Sequence, residues 1–240
     1  MRKKIVSIAL VAALAITALV GTTLAYFTDT DDATNTFTVG DVKIELKEEF
    51  EQNSKLFPGV DVNKDVWVKN TGSENAFVRV HIAFPAVLDS GDPEFAAYAN
   101  TLHWNFAKAS VADGQWNWHN TFVNGSNTEM PGYPGNGGAW NSYSQTIDGI
   151  DYTVYVVTYE TALASGEETT TYALDKVYLD TSVTNEDVTG IKEVLGDNWE
   201  IKVVAEGVQE AGFEGEPYEA LNTAFGVPGS YNPWATETAE

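Results

Sequence analysis

The chain contains no cysteine among its 240 residues. Disulfide staples and thiol catalysis are therefore excluded, and stability must come from a hydrophobic core, from metal or from assembly with partners. Basic residues are scarce: 13 Lys and Arg stand against 35 Asp and Glu, a formal charge of −22. Nucleic acid and anionic membrane surfaces both demand clustered Lys and Arg, so neither is expected as a partner. Histidine is limited to His81, His103 and His119. No His-Glu-x-x-His occurs and no two of the three are spaced i, i+4, so the sequence lacks the usual helical zinc site. Nor does any serine lie in Gly-x-Ser-x-Gly. With no catalytic residues identified, the expectation is a protein that is not an enzyme.

Long apolar runs are also missing, with one exception. After Met1-Arg2-Lys3-Lys4, the stretch Ile5 to Val20 is almost wholly apolar, and Thr23-Leu24-Ala25 follows with small or short residues at −3 and −1. Basic, apolar and small-residue regions in that order form an export signal, with cleavage expected between Ala25 and Tyr26. The alternative is a retained membrane anchor, but the run is shorter than the roughly 20 residues a spanning helix needs. The mature protein is expected to be secreted, extracellular or on the cell surface, and free of the membrane after cleavage.

Aromatic content of 12%, many β-branched residues and abundant Thr and Gly point to an all-β domain. Residues 26–39 form a polar segment with Asp29, Asp31 and Asp32, too poor in apolar surface to fold alone. Phe37 and Val39 share one strand parity, whereas Val42, Ile44 and Leu46 share the other. The change requires a bend at Gly40-Asp41, the expected hinge. Ala76 to Phe84 is a clear strand, with Val78, Val80, Ile82 and Phe84 inward and Arg79 and His81 outward. Tyr152 to Tyr159 is apolar on both parities and reads as a central strand. Thr170 to Leu179 and Trp199 to Ala205 complete the strong strands. Short helices are expected from Asp92 to about Leu102, from Asn185 to Leu195 with Gly196 ending it, and from Pro217 to Phe225. The expected layout is a signal at 1–25, a leading segment at 26–39, a β-sandwich at 40–228 with an insertion at about 89–145, and an acidic, fraying tail at 229–240. A jelly roll or Greek key is the expected form.

Several short motifs now fall into order: Thr23-Leu24-Ala25-Tyr26-Phe27-Thr28-Asp29, Asn35-Thr36-Phe37-Thr38-Val39-Gly40, Leu56-Phe57-Pro58-Gly59, Val68-Lys69-Asn70-Thr71-Gly72-Ser73, Val78-Arg79-Val80, and Val203 to Gln209 with Gly212-Phe213. Together they resemble the TasA/camelysin family. That resemblance implies export through a SipW-like signal peptidase, a jelly-roll sandwich, and two activities within the family: extracellular biofilm-matrix fibres built by donor-strand complementation, and surface metalloproteolysis. For a fibre subunit the partners would be further copies of itself, head to tail, with an accessory protein as anchor.

Physics makes strand donation workable here. The donor would be Tyr26, Phe27, Thr28, Phe37 and Val39, with Phe27 and Phe37 on one parity and roughly 33 Å apart when extended. An open sheet edge has unpaired N–H and C=O groups that a donated strand satisfies, and a head-to-tail contact that does not close makes a filament. The plainer alternative is a disordered leader followed by an ordinary first strand. Two further candidate sites arise. Trp104, Trp116, Trp118 and Trp140, set among Asn and Gly, form either a sugar-stacking platform on a monomeric glycan-binding module or a small satellite core. Asp61, Asn63 and Asp65 place oxygen ligands at alternate positions, as Ca²⁺ loops do, but lack the later Gly and Glu of an EF-hand; solvated surface charge is the plainer reading. No cofactor other than Ca²⁺ is implied.

Overall fold

A computed structural model describes residues 41–51, 54–89, 98–105, 116–117, 142–213 and 215–235. The expected signal, its cleavage point, the donor segment and Gly40 lie outside these residues, as do His119, Trp118 and Trp140.

The described residues form an all-β sandwich of two antiparallel sheets. Nine strands are described: β1 Ile44–Phe50, β2 Val62–Asn70, β3 Ala76–Pro85, β4 Leu102–Asn105, β5 Trp116–Asn117, β6 Ser142–Ile147, β7 Ile150–Tyr159, β8 Leu174–Leu179 and β9 Lys202–Gln209. Sheet A runs β1-β2-β8-β4, and sheet B runs β5-β7-β3-β9 with β6 also on β7. Two helices are described, α1 Asn185–Leu195 and α2 Pro217–Phe225. No helix among the described residues is long and apolar enough to cross a membrane.

Alternation sets the core. Val66 and Val68 of β2 meet Val78, Val80, Ile82 and Phe84 of β3 between the sheets, all fully buried. β7 is buried along nearly its whole length, as expected of a strand apolar on both parities. The turn before it carries a signal that the sequence reading passed over. Asp148 and Gly149 both have positive φ, 53° and 84°, between the paired Ile147 and Ile150. Such a two-residue Asp-Gly loop is a primed turn, whose twist matches that of a hairpin. It lays β6 antiparallel on β7. Thr184 caps α1 through reciprocal bonds with Asp187, and Gly196 closes it, at the expected bounds.

Four expectations change. Residues up to Leu102 were expected to be helical, but Leu102 already opens β4, which pairs with β8. The helix start near Asp92 falls outside the described residues. The stretch 89–145 also contributes strands to both sheets, β4 to one and β5 and β6 to the other. Finally, the outer face of β3 is not solvated: Arg79 and His81 are buried. The tail expected to fray from 229 packs there instead, as far as Trp234.

Candidate functional site

The described part of the sandwich begins at Asp41, where a turn grips residues 41–43. Asn70-Thr71-Gly72-Ser73 leaves the end of β2 and turns back across residues 41–43. The Ser73 amide donates to the Asp41 carbonyl at 2.9 Å, and the Asp41 amide donates to Ser73 Oγ at 2.9 Å. The Thr71 and Gly72 amides both donate to the Lys43 carbonyl, at 2.7 and 2.9 Å. Gly72 is required by space rather than by φ. A Cβ there would lie 2.3 Å from the Asp41 carbonyl oxygen and 2.6 Å from the Lys43 nitrogen, both backbone atoms. Asn70 holds the turn itself. Its buried amide donates to the carbonyls of Glu74 and Leu163 and its oxygen accepts from the Gly72 amide, at 2.7, 2.8 and 3.0 Å. One of the motifs quoted above, Val68 to Ser73, is therefore a clamp on the point where the leader joins the domain.

The clamp corrects the hinge. Asp41 was expected to pivot with Gly40, but its N–H and C=O are both tied to Ser73.

Beside the clamp the sandwich has a margin. β1 ends sheet A and β9 ends sheet B, and among the described residues neither has a second neighbour in its sheet. The two edges lie on one side, since a Cβ on Gly207 of β9 would come 2.7 Å from Ile44 Cγ2 of β1. Their inward apolar residues, Val42, Ile44 and Leu46 on one and Ile201, Val203 and Ala205 on the other, pack on the core but are only half-buried. Val66 and Val68 of β2 and Val78, Val80, Ile82 and Phe84 of β3 are fully covered. The margin thus combines apolar side chains with strand edges, the two things an added strand can cover.

A different polar site occupies the outer face of sheet B. Arg79 Nε donates to Glu206 Oε2 at 2.5 Å, Nη1 to Asn222 Oδ1 at 2.8 Å, and Nη2 to the Gly226 carbonyl and to Tyr231 Oη at 3.0 and 2.7 Å. Tyr231 donates to Glu206, and His81 Nε2 lies 3.2 Å from the same carboxylate. Since a carboxylate only accepts, Nε2 carries the imidazole proton and Nδ1 accepts from Tyr143 at 3.1 Å. Burial pushes the His81 pKa down, so the ring is neutral. Burial alone would raise Glu206, but bonds from His81 and Tyr231 and the Arg79 charge hold it at about 2. Every group in the cluster is engaged, so it acts as a staple for α2 and the segment after it. The sequence hid it because Arg79 and His81 sit on the parity that faces out of the sandwich, and only the returning C-terminal segment buries them.

The remaining candidates separate. His103 lies on the outward parity of β4 and bonds Asp180 at 2.7 Å. Bonds from Ser182 and then from His103 hold Asp180 at about 2. His81 and His103 thus face out from opposite sheets and cannot share a metal ion. Trp104 and Trp116 are 3% and 0% exposed in the main core. Trp104 stacks on Phe84 at 4.3 Å between ring centroids, and Trp116 meets Tyr159 edge-on. Neither offers a face to a sugar, which removes both from the expected platform. They serve the main core rather than a satellite one. Asp61, Asn63 and Asp65 share the outward parity of β2. Asp61 is bonded to Lys176 at 2.5 Å. Burial and the charge of Glu49 raise the Asp65 pKa. Among the described residues no group of three His, Cys, Asp or Glu is placed to hold a metal ion.

Residues 1–106 match the family model described as camelysin metallo-endopeptidase, in agreement with the TasA/camelysin resemblance carried by the motifs. The match includes the leader, the clamp and β1 to β4; the motif at Val203 to Phe213 lies beyond it. No curated protein and no solved structure gives a significant match.

Proposed function

We propose that this chain, a protein of the TasA/camelysin family by the match over its first 106 residues, is a secreted structural subunit. In this reading a signal peptidase of the SipW type cuts between Ala25 and Tyr26 during export. The freed segment from Tyr26 to Val39 then adds as a strand to the next subunit. Repetition builds an extracellular fibre of matrix or cell surface, with an accessory protein as anchor.

The observation that carries the reading is the margin beside β1 and β9. Its inward apolar rows are half-buried where Val66 and Val68 of β2 and the inward row of β3 are fully covered. A guest strand there gains hydrogen bonds along an edge and covers apolar area at roughly 25 cal/mol per Å². The clamp at Asp41 supplies what a pulling contact needs, a fixed attachment of the donor to its own domain. The test compares a chain beginning at Tyr26 with one beginning at Gly40, by electron microscopy and light scattering at rising concentration. The longer chain is expected to form filaments and the shorter to remain monomeric. Equal assembly of both overturns the reading.

The family description also raises proteolysis. We favour a non-enzymatic role because the two described histidines face away from each other on opposite sheets. Chelator-sensitive cleavage of casein by the purified chain would decide for the protease.

A further inference from the structure

The motif Leu56-Phe57-Pro58-Gly59 has no part in the clamp, the margin or the staple. It forms a turn fixed to the end of β8. The Gly59 amide donates to the Leu179 carbonyl at 2.8 Å, and the Val60 amide closes the turn on the Phe57 carbonyl at 3.1 Å. Leu56 packs on the core, so its neighbour Phe57 is held outside. Phe57 and Val60 are 54% and 51% exposed, the most exposed large apolar side chains among the described residues. Both line a groove of about 740 Å³ with Phe50 and Val62, at the end of the β1–β2 ladder opposite the clamp.

The rim of this groove is acidic. Glu49, Glu51, Asp61 and Asp65 line it, with Lys55 as the one cation among the described lining residues. Neighbouring lysines are already engaged: Lys64 with Glu48, Lys176 with Asp61, and further along the sheet Lys47 with Glu45 and Lys69 with Glu168. Among the described residues no ion pair reaches Glu49, Glu51 or Asp65. Glu49 and Asp65 stand directly opposite each other in the ladder, an arrangement of like charges that costs stability. Burial and then the Glu49 charge raise the Asp65 pKa. Burial also raises Asp175, and the Asp65 and Asp61 charges add to it.

We propose that this groove docks a basic segment of a partner protein, one that alternates apolar residues with Lys or Arg. The apolar stems of such side chains lie on Phe57 and Val60, and their charged tips reach Glu49 and Asp65. Lys64 shows the same end of the sheet receiving a lysine. Its buried stem carries Nζ to 4.9 Å from the Phe50 ring centroid and 3.2 Å from Glu48. A second copy is a poor occupant, since it carries the same formal charge of −22 and its leading segment brings Asp29, Asp31 and Asp32. An amino sugar bears its ammonium directly on a hydroxylated ring and offers no stem. The inference is independent of strand donation, because the groove lies at the far end of the ladder from the leader.

The test uses the purified chain at a concentration where light scattering shows monomers. A fluorescent octapeptide of alternating Lys and Val is titrated by anisotropy, beside Glu-Val and Lys-Gly counterparts. The Lys-Val peptide is expected to bind at least tenfold more tightly than either, and more weakly as salt is raised through about 0.15 M. Affinity should fall tenfold or more in Phe57→Ser and in Asp65→Asn, and be unchanged in Glu219→Gln on α2. Asp65→Asn should melt no lower than the parent, since it removes a repulsion, so its lost binding is not lost folding. Equal binding of the Lys-Gly peptide, or binding untouched by both groove variants, overturns the proposal. So does retention on chitosan without binding of the Lys-Val peptide, which assigns the groove to a cationic polysaccharide. Loss of self-association alone in Phe57→Ser also overturns it, and gives the turn to a second copy.

Discussion

Gly72→Ala tests whether the clamp is a structural anchor. The added Cβ would sit 2.3 Å from the Asp41 carbonyl oxygen, well inside van der Waals contact. Both close atoms are backbone, so no rotamer change relieves the clash. Either residues 41–43 or the turn at 70–73 must move. Movement breaks the bonds from Ser73 and Glu74 to the Asp41 carbonyl, from Thr71 and Gly72 to the Lys43 carbonyl, and from Asp41 to Ser73 Oγ. Each is worth about 0.5–1.5 kcal/mol, with exposed ones at the low end. A total loss of about 2–4 kcal/mol follows. For a domain of this size that lowers Tm by roughly 5–15 °C. Thermal unfolding by circular dichroism measures the shift, and amide exchange should show lost protection at Ser73 and Thr71. Ser73→Ala, which removes one side-chain bond only, should cost about 1 kcal/mol. A Gly72→Ala protein that melts within a degree of the parent, with its amides still protected, would refute the clamp.

Removing the guanidinium in Arg79→Leu strands the buried Glu206 carboxylate and releases α2 and the segment after it. About 3–5 kcal/mol of destabilisation is expected in urea unfolding, and tryptophan fluorescence should report Trp234 leaving its place against His81. Acid should weaken the fold in two stages. The folded His81 pKa lies below its unfolded value of about 6.5, so the unfolded chain binds the proton first and stability falls as pH drops below about 6.5. Glu206 is held at about 2 against 4.5 unfolded, so its contribution is present above about 4.5 and is lost on the way down to 2. His81→Gln should flatten the first stage and, by removing the His81 bond to Glu206, narrow the second, in melts at stepped pH. At the margin of β1 and β9, Gly207→Val should push β1 off β9 through Ile44. A loss of about 1–3 kcal/mol is expected from such overpacking, and no loss would mean that the two edges are not in contact.

Pattern alone determined much of this protein. Period-two alternation along Ala76–Phe84, two-sided apolarity along Tyr152–Tyr159, and the caps of α1 and α2 are local properties, written in side chains that act within a few residues of one another. They were enough to place a β-sandwich and the helices at Asn185–Leu195 and Pro217–Phe225, and the motif order pointed to the same family as the model that matches residues 1–106. What the local pattern could not decide was which faces are finally covered. Arg79 and His81 alternate as exposed residues do, and they are buried only because Tyr231 and Trp234 return from some 150 residues further along the chain. Trp104 and Trp116 stand among Asn and Gly as a sugar platform would, yet their strands register on β8 and β7 and turn the indoles inward. Trp67 lies on the polar parity of β2, and only the segment entering β8 sets Tyr172 against it. Burial is a property of contacts between distant segments, and register, bulges and returning tails set those contacts in three dimensions.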